Sequence, residues 1–119
     1  MKIKEVIDRL SEWSKDAVMP EAQVIRLINE VDERLWDNIV SKRKTDKTYK
    51  KHINIDEELL AEGEYVDIYV HYILATAYMR LYESERAAQH SALFNSIYQS
   101  YGDYIIRSFP PKPCANIKL

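Results

Sequence analysis

Three histidines, one cysteine and a spread of serines and carboxylates are the side chains on which chemistry could rest in this chain. His52, His71 and His90 stand far apart, and none belongs to an HExxH or another close ligand pair, so no metal site is expected. His71 reads instead as a helix-face residue that hydrogen-bonds locally. A single cysteine, Cys114, leaves no partner for an intrachain disulfide and too few thiolates for a cysteine-built zinc site. The serines lack the GxSxG context that exposes a nucleophile on a sharp turn. Gly63 and Gly102 are the only glycines, so the chain has no glycine-rich loop to cradle a phosphate. No cofactor and no enzymatic activity are expected, because a site would have to be assembled entirely from distant positions.

Two other constellations point to binding rather than catalysis. The first is basic: Lys42, Arg43, Lys44, Lys47, Lys50 and Lys51 fall within ten residues. They are candidates for contact with phosphates or with an acidic partner. The preferred reading is a solvated loop partly balanced by Asp56, Glu57, Glu58, Glu62 and Glu64, since the net charge is −2 and no recognition motif accompanies the run. The second is aromatic. Nine tyrosines occur, and tyrosine is enriched at protein interfaces as well as at half-buried core positions. Tyr65, Tyr69, Tyr98, Tyr101 and Tyr104 are the candidates for a subunit or partner interface.

These residues need elements to position them. The 119 residues suggest one domain, able to bury roughly 65% of its unfolded surface. So few glycines and prolines disfavour a turn-rich β architecture. Ile3, Val6, Ile7 and Leu10 share one helical face that Trp13 extends, and residues 14–19 read as a loop. Pro20 suits a first helical turn. Val24, Leu27, Ile28, Val31, Leu35 and Ile39 then form the stripe of a second helix over 20–41, with Asn29, Glu30, Glu33, Arg34 and Asp37 on its wet side. Residues 42–64 break the pattern. HINID at 52–56 alternates like a short strand, within a connection long enough to be functional or mobile. A third helix, 65–82, is apolar almost all round and so belongs in the centre or at a contact. A fourth begins at Ser84, a candidate N-cap, and runs to about 109. Its Gly102 weakens it by about 1 kcal/mol relative to alanine. Residues 110–119 are expected to be an extended proline-rich tail beyond a single helical domain, 1–109. The fold class is thus all-α, a four-helix bundle-like domain with a long loop between helices two and three. No run of apolar residues is long enough to span a membrane, and MKIKEVIDRL lacks the apolar stretch of a secretion signal.

Four segments together resemble the small α-helical head–tail connector (head-completion or adaptor) proteins of tailed bacteriophages and prophages. They are IKEVIDRL at 3–10, VIRLINEVDERLWDNIV at 24–40, YVDIYVHYILATAY at 65–78 and SALFNSIYQSYGDYIIR at 91–107. They cover about half the chain in the family's order and at similar separations. All are packing patterns; none is a catalytic motif. The chain departs from the pattern at Glu64, where the family often has proline, and over 79–90, where the family tends to be rich in tyrosine and asparagine. The 42–64 loop has no clear counterpart. The resemblance implies a virion structural protein at the head–tail junction, present in host cytoplasm before assembly. It implies a homo-oligomeric ring beneath the portal protein, contacts with tail or stopper proteins, and non-specific contact with channel DNA. The alternative is a small helical regulatory protein that binds DNA or a protein through residues 42–51.

Overall fold

The computed structural model describes residues 1–13 and 19–113; residues 14–18 of the predicted loop 14–19 and residues 114–119 of the predicted tail 110–119, with Cys114, lie outside the described residues. The described residues are all-α, with four helices: α1 (Ile3–Trp13), α2 (Glu21–Asn38), α3 (Asp67–Arg80) and α4 (Ser84–Ser108). α3 and α4 form an antiparallel hairpin, on which α1 and α2 pack through α3. α3 is the central element, and Ile68, Tyr69, Val70, His71, Ile73, Leu74, Ala77 and Tyr78 are all buried on it. That near all-round burial is what its apolar sequence requires.

The second helix is shorter than its apolar stripe. At Ile39 the backbone turns to φ −128° and ψ −66°, and Val40–Lys42 tighten into a 3₁₀ turn that buries Val40. Ile39 still packs inward: its Cδ1 lies 3.5 Å from where a Cβ on Gly102 of α4 would be. The predicted start of α3 at Tyr65 is instead a 3₁₀ turn, Gly63–Tyr65, entered through Gly63 at φ +61°. Ser84 is the first helical residue of α4, not its N-cap. The preceding Glu83 fills that position, and its carbonyl accepts from the Ala87 N–H at 3.0 Å.

The strand expected at 52–56 does not form. Its alternation is misleading: Ile53 is 80% exposed, while His52 is buried. Among the described residues the only extended pairings are two isolated antiparallel bridges, Lys2 with Glu58 and Arg43 with Pro111. The second brings the tail back onto the body. Lys44 N–H donates to the Pro110 carbonyl at 2.8 Å and Lys112 N–H to the Lys42 carbonyl at 3.0 Å. Pro110, Pro111 and Pro113 have no N–H to extend that pairing into a sheet.

Candidate functional site

The long loop is pinned, not loose, and the anchors are two polar residues of α2 spaced i, i+3. Asn29 and Asp32 are 7% and 0% exposed. Asn29 Nδ2 donates to the His52 carbonyl at 3.0 Å, and its Oδ1 accepts from the His52 N–H at 2.8 Å and the Tyr49 hydroxyl at 2.9 Å. The Asp32 carboxylate accepts from His52 Nε2 at 2.7 Å, from the Leu60 N–H at 3.3 Å and from the Tyr69 hydroxyl. Tyr69 in turn accepts from the Ala61 N–H at 2.8 Å. One carboxylate with this many donors is how a buried charge is tolerated. By spacing Asn29 belongs on the wet side of α2, and no sequence motif marks either it or Asp32. Their signal was a polar pair one turn apart on the flank of an otherwise apolar stripe.

His52 sits between two carboxylates. Beyond Asp32, its Nδ1 lies 3.5 Å from Glu57 Oε1, too long for a hydrogen bond. Burial works against its charge, but the hydrogen bond and charge of Asp32, with Glu57 behind, outweigh it and raise the imidazole above its ordinary value. Glu57 is held below the usual carboxylate range by the Ile53 and Asn54 N–H groups, at 2.6 and 2.8 Å. Burial and the charge of Asp32 push the Tyr49 hydroxyl up to about 12. The loop also serves α1. Carbonyls of Ile55 and Glu57 accept the Lys4 and Ile3 N–H groups, which have no partner inside a helix's first turn.

His71 and His90 form a second site that the sequence does not bring together. Their Nδ1 atoms are 3.0 Å apart, and both residues are buried. Trp13, at the end of α1, stands edge-on to both rings, with centroids at 5.2 and 5.6 Å, and Tyr78 stacks on His90 at 5.5 Å. Among the described residues no group of three or more histidine, cysteine or acidic side chains converges as metal ligands would.

The five candidate tyrosines divide. Tyr69 and Tyr101 are core residues, 0% and 1% exposed, and this chain's own packing covers them. Tyr65, Tyr98 and Tyr104 are half-buried. Tyr65 stacks on Tyr104 at 5.4 Å and meets Tyr101 edge-on at 5.4 Å, while Tyr98 accepts a hydrogen bond from Asn38 at 3.2 Å. The most exposed aromatic residue lies elsewhere, at the α3–α4 turn, with Trp13 of α1 half-exposed. Tyr82 is 95% exposed, beside the exposed Met79 and Leu81. Its φ is +59°, a left-handed conformation that a bulky residue adopts rarely. The Tyr82 N–H donates to the Met79 carbonyl and the Glu83 N–H to the Tyr78 carbonyl, at 3.1 and 2.9 Å. This is the Schellman ending of a helix, with tyrosine where glycine is usual.

The basic candidates make no direct ion pair with the acidic run, although Lys47 lines one cleft with Glu58 and Glu62. Among the described residues, no carboxylate lies within ion-pair distance of Lys42, Arg43, Lys44, Lys47, Lys50 or Lys51. The acidic run is engaged otherwise: Glu58 with the N-terminal amine at 2.9 Å, Asp56 with Lys4 at 4.0 Å, and Glu57 with the backbone and His52. The tail bridge adds Lys112 beside Lys42 and Lys44, its ammonium over the Trp36 ring at 5.9 Å.

No helix among the described residues is long and apolar enough to cross a membrane. No protein-family model, no curated protein and no solved structure matches the chain.

Proposed function

We propose that the chain is a subunit of the head–tail connector of a tailed bacteriophage or prophage, a non-enzymatic structural protein that closes into a ring beneath the portal. The four quoted segments suggest the family. The observation that carries the reading is the α3–α4 turn, where Tyr82, Met79 and Leu81 stand exposed and Tyr82 holds a conformation costing about 1 kcal/mol. Such a strained, apolar projection suits a contact with another subunit or with a portal or tail protein. The test is to delete the coding sequence from the source genome and image the induced particles. Separate DNA-filled or leaking heads beside complete free tails support the reading, and normal virions overturn it.

A second reading is favoured by cations that have no carboxylate within ion-pair distance among the described residues: a small helical protein that binds nucleic acid through residues 42–51 and Lys112. Its mark is binding of the isolated protein to a DNA duplex that weakens steeply between 50 and 200 mM salt, as release of counterions requires.

A further inference from the structure

The histidine pair carries an inference that the connector reading does not contain. The ring centres of His71 and His90 are 5.2 Å apart with their planes 24° from parallel, while the Nδ1 atoms are only 3.0 Å apart. The two nitrogens therefore lie between the rings and point at each other. That is the geometry of an N–H···N hydrogen bond, in which one Nδ1 donates and the other accepts through its lone pair. A metal bound by both nitrogens would need the lone pairs to converge on a point off this line. The gap holds one proton. One cationic ring can still donate to the other's lone pair, but when both imidazoles are cationic each Nδ1 carries a proton, which places two N–H groups head to head and two positive rings side by side.

Asp67 favours charge on His71, but less than burial and His90 oppose it. Among the described residues no carboxylate is within ion-pair distance of either ring, in contrast to His52. The charged groups around the pair come from all three packed helices. Asp67, one turn before His71 on α3, is held at 2.7 Å by Arg9 of α1, and Arg86 of α4 lies over Tyr78 at 5.5 Å. Burial holds both imidazoles below their ordinary value, and His90 lowers His71 further.

We propose that this pair is a proton-sensitive latch: while it shares one proton it presents the surface on which Trp13 rests, and when both rings are protonated they part and release the C-terminal end of α1. The release is confined to that end. The other end of α1 is fixed by the buried Ile3 and Val6 and by the loop carbonyls that accept from Ile3 and Lys4. The helix would hinge there, uncovering the histidines and Tyr78.

The full chain carrying Trp36→Phe reports on Trp13 alone. Trp13 is already 52% exposed, and between pH 7.5 and 5.5 its acrylamide quenching constant is expected to rise by about 1.5- to 2-fold while the far-ultraviolet helical signal is retained. The same variant with His90→Asn, which cannot take the second proton, is expected to lose that pH dependence, and His52→Gln to keep it. Unchanged quenching down to pH 5.5, a rise that persists without His90, or a rise that accompanies loss of the helical signal overturns the latch. Should His90→Asn not fold, histidine ring resonances of the wild-type chain decide. Coupled titration of His71 and His90 together with the Trp13 indole resonance supports the proposal. Independent titration that leaves Trp13 unmoved overturns it.

Discussion

The three histidines show how the same side chain is driven in opposite directions by its neighbours. His52 has Asp32 and Glu57, which raise its imidazole against burial; His71 and His90 are lowered by burial, and His71 further by His90. A raised group binds its proton more tightly in the folded chain. His52 therefore contributes its stabilisation in full below the unfolded value near 6.5, and that contribution fades as pH climbs through the folded value. The lowered pair acts on the other side of 6.5, where stability falls with acidity. The urea midpoint should accordingly decline in both directions from near-neutral pH. Replacing His52 with glutamine should lower the midpoint at pH 6.5 and flatten the decline on the alkaline side, leaving the acid side in place. An alkaline decline of unchanged size in that variant would show that the Asp32–His52 contact does not hold the loop. The distinction was hidden from the sequence, in which the three histidines differ only in their surroundings, and those surroundings come from other helices.

At the scale of elements, what was legible is what local periodicity encodes. The apolar stripes located all four helices, and the continuous apolarity of residues 66–78 marked α3 as central. The ends were less legible, because they are decided by contacts across the fold. Ile39 belongs to the α2 stripe by spacing, yet it leaves the helix to meet Gly102. The loop was least legible of all. Residues 42–64 have no periodicity of their own and are ordered by Asn29 and Asp32, twenty or more residues away. The two glycines also differ in kind. Gly63 sits at φ +61°, where a side chain strains the backbone. Gly102 lies within a regular helix, and a methyl group there would meet Ile39 at an ordinary contact distance of 3.5 Å. Gly102→Ala should therefore raise stability by about 0.5–1 kcal/mol, from helix propensity and a less flexible unfolded chain. Chemical denaturation measures it. A loss of stability would mean that the α2–α4 approach is too tight for one methyl group.

For the whole molecule, the placement of aromatic residues separates what folds the protein from what it presents. Tyr69 and Tyr101 are consumed by the core, and Tyr65, Tyr98 and Tyr104 are half-used by it. By sequence all five are candidates both for core packing and for an interface, because composition records how many aromatics there are, not which way the hairpin turns them. Tyr82 alone is almost fully outside, and it occupies the one position where its own backbone disfavours it. Folding and partner binding therefore make opposite demands on this residue. Glycine at 82 removes the left-handed strain and, with so little packing to lose, should stabilise the isolated chain by about 1 kcal/mol. If the connector reading holds, the same substitution should reduce assembly, scored as complementation of a deletion strain in producing joined heads and tails. Tyr82→Asn, which also tolerates the left-handed conformation, should behave alike and so exclude a peculiarity of glycine. Greater stability with unimpaired assembly would mean that the exposed turn is no contact, and the basic strip with Lys112 would then be the surface to pursue. Greater stability with lost assembly would show that the strain is kept because the side chain is needed outside the fold.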